Sequence, residues 1–297
     1  MSRPRRRWPT LSLRGVAALV LCALLAACGE ASAGSDTTER RILPVTGDLA
    51  EVVYALGLGD EVVATDISVT YPEAAVAAPK IGYQRALVAE PIIKHDPTIL
   101  LADEQAGPDT TLEQLRAAGV NVVMIERSRT IDEPAEKIRA VAEALGIDDD
   151  GLADRVQAQI DAAKAKPATT KPRVLALYLR GQDVQIVFGK GMGIDAVIHA
   201  AGGIDVGTEL GIKGTAPLTA EAIIEARPDV ILATTSGVES VGGHAALREL
   251  AGIARTPAAQ HGQIYDFEDQ YLYGLGPRTG DLLEELVAIF AAATTGE

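Results

Sequence analysis

The chain has 297 residues, 47% of them hydrophobic and 23% charged, enough apolar material for one large or two moderate packed cores and too much for a disordered chain or a mini-scaffold. Five arginines (Arg3, Arg5, Arg6, Arg7 and Arg14) and no acid precede Glu30; setting residues 1–27 aside leaves 22 of the 27 basic side chains against 41 acidic ones, a net charge of −19 with His neutral. No basic stripe remains to neutralise phosphates, which excludes a nucleic-acid partner.

The first element in chain order is the apolar run Gly15–Ala27, GVAALVLCALLAA. Its 13 residues are too few for a spanning helix, which needs about 20, but they suit the apolar region of an export signal behind a basic start. It ends in Leu25-Ala26-Ala27-Cys28-Gly29, the pattern of a bacterial lipoprotein signal in which Cys28 becomes the lipidated first residue. The other cysteine, Cys22, lies in the discarded segment, so no intrachain disulfide is expected in the mature chain. Residues 28–40, rich in Ser, Gly, Thr and Ala, read as a flexible tether between lipid and body. The body is therefore expected outside the cytoplasmic membrane, away from cytosolic ATP and NAD.

From Arg41 on, β-branched runs alternate with helical patterns. Residues 41–47, 61–67, 97–103 and 121–126 read as strands, and 48–57, 86–95, 109–118 and 134–145 as helices, which predicts a parallel sheet with helices on its faces over residues 41–149. Asp150–Lys166 carries Leu152, Val156, Ile160 and Ala163 at helical spacing, with no Gly or Pro after Gly151, and predicts a rigid connector over 150–167. A second alternation over 168–297 begins with RVLALYL at 173–179, passes through VQIVFG, DVILATT and QIYDFED, and closes with a helix over 280–293.

The two halves repeat each other. Leu87-Val-Ala-Glu90-Pro-Ile92-Ile93 runs on to Pro97 and Ile99-Leu100, and 131 residues later Leu218-Thr-Ala-Glu221-Ala-Ile223-Ile224 runs on to Pro228 and Val230-Ile231. Each copy reads as a short helix, a proline stop and a buried strand. The fold class expected is α/β: two Rossmann-like lobes with mainly parallel sheets, joined by one long α-helix, with a ligand in the cleft between them.

On the segments IGYQRALVAEPIIKHDPTILLADEQAGP, FGKGMGIDAVIHAAGGID, PLTAEAIIEARPDVIL and YLYGLGPRTGDLLEEL, the sequence resembles haem-binding substrate-binding lipoproteins of ABC importers. These belong to the class that joins its lobes by one helix and includes vitamin B12 and siderophore binders. The resemblance spans about residues 40–296, and its first and last segments are the more specific for haem. It implies haem capture and delivery to an ABC permease by a monomer, with no reaction catalysed.

Ferric haem wants a hard or borderline axial ligand, apolar walls and positive charge for its carboxylates. A phenol has a pKa near 10 and ligates poorly while protonated, but a nearby cation favours phenolate. Tyr83 and Arg85 in Gly82-Tyr83-Gln84-Arg85 fit that need, and the resemblance implies that Tyr83 binds iron while Arg85 hydrogen-bonds the phenolate. Arg180 stands where a relative can place a histidine; it offers a propionate contact or a hold on a distal water, and equally an edge-strand ion pair. With Gln185 where other relatives carry a tyrosine, no second axial ligand is assigned. Met192, within Gly189-Lys-Gly-Met-Gly193, is expected to line the cleft near a turn whose N–H groups suit an anion. Tyr271 and Tyr273 are candidates to pack on the macrocycle and Arg278 to pair with a carboxylate, with core packing or lobe stability as the alternative for each. Glu90 and Glu221 are implied docking charges for a two-fold permease, against the plainer reading of solvated helix faces.

His95, His199, His244 and His261 lack the spacing of a common metal motif, and no paired-Cys or HExxH pattern occurs. A first-row metal importer is therefore a poor second. The nearer rival is a corrinoid or ferric-siderophore carrier; a lipid-anchored enzyme on the same scaffold is less favoured because no GxSxG elbow or metal triad is present. An adhesive lipoprotein leaves Tyr83 and Arg85 unexplained.

Overall fold

The computed structural model describes residues 39–181, 184–217 and 219–293. The signal segment, Cys28 and Leu218 at the head of the second repeat copy lie outside the described residues.

In the first lobe β1 (Ile42–Pro44), β2 (Ile99–Ala102) and β3 (Asn121–Met124) form a parallel sheet in the order β1-β2-β3, with Ile42 opposite Ile99 and Leu100 opposite Val122. Every residue of β2 is buried, as befits a central parallel strand covered on both faces. Helices Gly47–Ala55, Asp109–Ala117 and Glu133–Leu145 follow the three strands. Thr46 accepts a hydrogen bond from the Leu49 N–H at the start of the first, and Gly146, at φ 66°, ends the third in the left-handed conformation that glycine adopts most easily.

The strand expected over 61–67 does not form a ladder. Val63 N–H donates to the Ile42 carbonyl at 2.9 Å, but two residues on Thr65 N–H donates to Pro79 and Ile81 N–H returns to Thr65. The segment changes partner midway, and a β-rich composition cannot reveal that, because the partner lies elsewhere in the fold.

The second lobe holds β4 (Arg173–Arg180), β5 (Val184–Phe188), β6 (Ile204–Asp205), β7 (Thr215–Pro217), β8 (Val230–Thr234) and β9 (Ile264–Phe267). The order is β7-β5-β4-β8-β9, with β6 beside the start of β4. The β4-β8-β9 core is parallel, whereas β5 runs antiparallel to both β4 and β7. This antiparallel edge brings Tyr178 opposite Ile186 on one face, and that face becomes a wall of the site.

The connector is a helix over Leu152–Lys164, with Val156, Ile160 and Ala163 buried. It packs between Glu133–Leu145 of the first lobe and the last helix, Thr279–Ala292. One apolar cluster runs from Ile42 and Ile138 through Ile160 to Leu283 and Phe290, so the lobes share a core along their back. No helix among the described residues is long and apolar enough to cross a membrane.

Polar contacts join the lobes at a second place. The segment 268–278 of the second lobe is held by Glu51, which accepts two hydrogen bonds from Arg278 at 2.9 Å and one from Gln270 at 2.8 Å. Arg278 also bonds Glu268, and its guanidinium covers the rings of Tyr71 and Tyr271. Lys137, almost wholly buried, pairs with Asp48 and donates to the carbonyls of Gly274 and Leu275.

Candidate functional site

A cleft of about 460 Å³ opens between the lobes, lined by Tyr83, Arg85, Gln105 and Arg127 on one side and by Tyr178, Ile186, Phe188, Met192, Gly214, Thr215 and Tyr273 on the other. Its volume falls in the range of small-molecule sites.

Tyr83 is placed by a turn pinned at both ends. Gly82 takes φ 95°, a conformation open to glycine, and its carbonyl accepts from the Ile67 N–H at 3.0 Å. After Tyr83 a single 3₁₀ turn, Gln84–Ala86, is held by the Gln84 N–H donating to Asp66 Oδ2 at 3.0 Å and by the Gly107 N–H donating to the Gln84 carbonyl at 2.9 Å. Between these anchors the Tyr83 side chain is left exposed to the cleft, and its hydroxyl makes no hydrogen bond to a described residue. Arg85 donates to Gln105 Oε1 rather than to Tyr83.

The opposite wall is aromatic. The ring centroid of Phe188 lies 4.4 Å from that of Tyr273, at the short edge of aromatic packing, and 6.2 Å from that of Tyr178 in an edge-on arrangement. The Tyr273 hydroxyl donates to the Leu177 carbonyl at 2.9 Å, and burial together with the Asp269 carboxylate pushes its pKa far above 10. Tyr273 is thus a neutral wall. Tyr178 also faces the cleft, with the Arg180 guanidinium 4.5 Å from its ring centroid. Met192 lies in the lining just before Gly193 (φ 86°), where a Cβ would come within 2.5 Å of Leu275 Cδ1.

Several candidates are drawn elsewhere. Arg180 donates to the Leu179 carbonyl, to Ser236 Oγ at 3.0 Å and to Asp269 Oδ1 at 3.2 Å. Arg278 and Tyr271 are not among the cleft's lining residues; the first is taken up by Glu51 and Glu268, and the second bonds Glu285 across 3.4 Å. Burial, with Glu285 and Asp281 adding to it, keeps the Tyr271 phenol protonated. The N–H groups of Gly191 and Met192 donate to Asp195, so that turn does not offer them to an anion. Glu90 and Glu221 each occupy the second position of their helices, Ala89–Ile93 and Ala220–Ala226, and both are exposed, Glu90 paired with Lys94 at 2.9 Å. Among the described residues no group of His, Cys, Asp and Glu could hold a metal ion.

Sequence reasoning missed Arg127, Tyr178, Ile186 and Phe188. Tyr178 sat in view within the RVLALYLR strand, but its facing depends on the β4–β5 pairing. Arg127 had a usable signal: it follows the carboxyl end of a parallel strand, where open α/β sheets bind their ligands.

A shared-core pair of α/β lobes with an aromatic cleft between them is the architecture of a substrate-binding protein. The chain belongs to the periplasmic binding protein family, whose sequence pattern matches residues 43–271. Among solved structures it is similar to the periplasmic heme-binding protein RhuT from Roseiflexus sp. RS-1, with 45% identity, a TM-score of 0.82, and coverage of 85% of this chain and 98% of that one. Among curated proteins it is 27% identical to the uncharacterized ABC transporter substrate-binding lipoprotein YvrC of Bacillus subtilis, over 91% of this chain and 94% of the relative. It is also 23% identical to the vitamin B12-binding protein of Vibrio cholerae, over 83% and 87% of the two chains. The family and the structural neighbours are substrate-binding transport proteins, not enzymes.

Proposed function

We propose that this chain captures haem outside the cytoplasmic membrane, ligates its iron through Tyr83, and delivers it to the permease of an ABC importer while tethered by lipid on Cys28. The observation that carries the reading is the Tyr83 phenol, which makes no hydrogen bond to a described residue and faces a wall of Tyr178, Phe188 and Tyr273. A flat apolar macrocycle with an oxygen-seeking iron fits that pairing. Tyr178 supplies a second phenol on the opposite lobe, which restores a candidate for the far side of the iron. Arg85 remains close enough in sequence to favour phenolate once its contact with Gln105 exchanges. Glu90 and Glu221, on matching positions of repeated helices, are the charges that meet the permease.

Titrating the mature protein with hemin tests the reading. A ferric tyrosinate spectrum that saturates and is lost in Tyr83→Phe is expected; an unchanged free-hemin spectrum overturns it. The relative from Vibrio cholerae favours a corrinoid as the second reading, and competition by cyanocobalamin with no hemin spectrum selects that one. Release of Cys28→Ser from the membrane fraction, in cells lacking the permease, tests the anchor.

A further inference from the structure

Arg127 is the cleft cation that the protein leaves incomplete. It lies in the loop after β3, half-buried, and lines the aromatic cleft, a smaller polar hollow of about 170 Å³, and a hollow of about 370 Å³ shared with Glu126, Glu133, Glu136, Arg129 and Lys137. Its Nε lies 3.4 Å from Asp103 Oδ2, longer than the roughly 2.7–2.9 Å of a charge-assisted hydrogen bond. The guanidinium makes no hydrogen bond to any described residue, and Asp103 is its ion-pair partner there, so its five-donor fork is not taken up by the protein around it. The other candidate cations differ. Arg180 and Arg278 are each held by several acceptors, and Arg85 is exposed and donates to Gln105.

The smaller hollow does not accept an anion. Asp48, Asp103 and Asp269 line it, and Arg127 is its cation among the described lining residues. Those carboxylates repel an anionic group from below, while Asp103, buried behind Arg127, keeps the guanidinium in place. Of the three spaces that Arg127 lines, the one facing Tyr83, Tyr178 and Phe188 has no carboxylate among its described lining residues.

We infer that Arg127 receives a carboxylate of the ligand from the cleft side and thereby sets the preference for a macrocycle bearing free acid groups. This deepens the haem reading and rests on it. The arginine assigned to carboxylate binding is then on the first lobe, the same lobe as Tyr83, so iron and acid edge are fixed by one rigid body. A planar guanidinium can grip a carboxylate in bidentate fashion, which a lysine cannot do.

The test measures equilibrium binding of ferric protoporphyrin IX and of its dimethyl ester to the wild-type, Arg127→Gln, Arg127→Lys and Arg85→Gln chains, with thermal melts to verify folding. The wild type should prefer the free acid, and Arg127→Gln should lose roughly 10- to 100-fold for the acid while barely changing for the ester. Arg127→Lys should recover part of the difference, and the tyrosinate spectrum should persist in both Arg127 variants. Equal losses for acid and ester in Arg127→Gln, no loss for either, or selectivity that disappears only in Arg85→Gln would each overturn the assignment. If Arg127→Gln fails to fold, Arg127→Lys decides: unaltered acid-over-ester preference there overturns it, and a reduced one supports it. A wild-type chain that forms no tyrosinate complex with either porphyrin sinks the haem reading itself, a result distinct from every Arg127 outcome.

Discussion

Tyr83 and Tyr273 are phenols of one cleft, and their surroundings give them opposite chemistry. The Tyr273 hydroxyl is buried against the Leu177 carbonyl, where ionisation has no compensation, whereas the Tyr83 hydroxyl meets no acceptor among the described residues and faces the open cleft. Tyr83→Phe should therefore abolish the tyrosinate band and leave the melting temperature unchanged. Tyr273→Phe should do the reverse: it keeps the band and loses about 1–3 kcal/mol of stability, because the Leu177 carbonyl loses its donor. Urea unfolding and hemin spectra on both variants check the pair. If Tyr273→Phe alone removes the band, the ligand is on the other lobe.

At the scale of elements, the segment 268–278 decides how the second lobe meets the first. Glu51 is 5% exposed and accepts from both Arg278 and Gln270. Arg278→Ala strands that carboxylate and should cost about 3 kcal/mol in urea unfolding, as for a buried pair deprived of one partner. The double change Glu51→Met with Arg278→Met should recover much of the loss, since no buried charge is then left alone. Haem affinity should fall far less in the double variant than in Arg127→Gln; equal losses would return Arg278 to the carboxylate-binding role. The connector helix acts in the same joint from behind. Ile160→Ala empties a fully buried position between two helices and should cost about 2–5 kcal/mol.

Across the whole molecule the joint is also sensitive to acid. Burial alone pushes the Asp48 carboxyl up, but the Lys137 ammonium and the bonds from Lys137 and Thr46 outweigh it and hold the carboxyl below its usual value. A depressed carboxylate stabilises the folded state above its unfolded pKa of about 3.9, and that contribution is lost as pH falls through the lower folded value. Stability should therefore drop more steeply below about pH 4 in the wild type than in Asp48→Asn with Lys137→Met, measured by urea unfolding over that range. Parallel curves would remove Asp48 from the acid response. Delivery belongs to this scale as well. Glu90→Lys with Glu221→Lys should nearly abolish haem-stimulated ATPase activity of the reconstituted permease, most visibly at low ionic strength, while haem loading stays intact. Equal stimulation by the haem-loaded variant and wild type would eliminate the docking role.

The βα alternation, the connector stripe at Val156, Ile160 and Ala163, the repeat around Glu90 and Glu221, and the Gly82–Arg85 motif were all legible in the residues, because each depends on local periodicity or on a short contiguous motif. Segment 61–67 was not, since its backbone partners are divided between β1 and Pro79–Ile81. Nor was the fate of the arginines. Arg180, Arg278 and Arg127 look alike in sequence, yet Ser236 and Asp269 hold the first, Glu51 and Glu268 hold the second, and the packing of β3 beside β2 leaves the third facing the cleft with Asp103 as its one ion-pair partner among the described residues. Charge and residue type are properties of the chain, but which acceptor a guanidinium reaches is a matter of distance, and distances between residues far apart in sequence arise only when the lobes have packed.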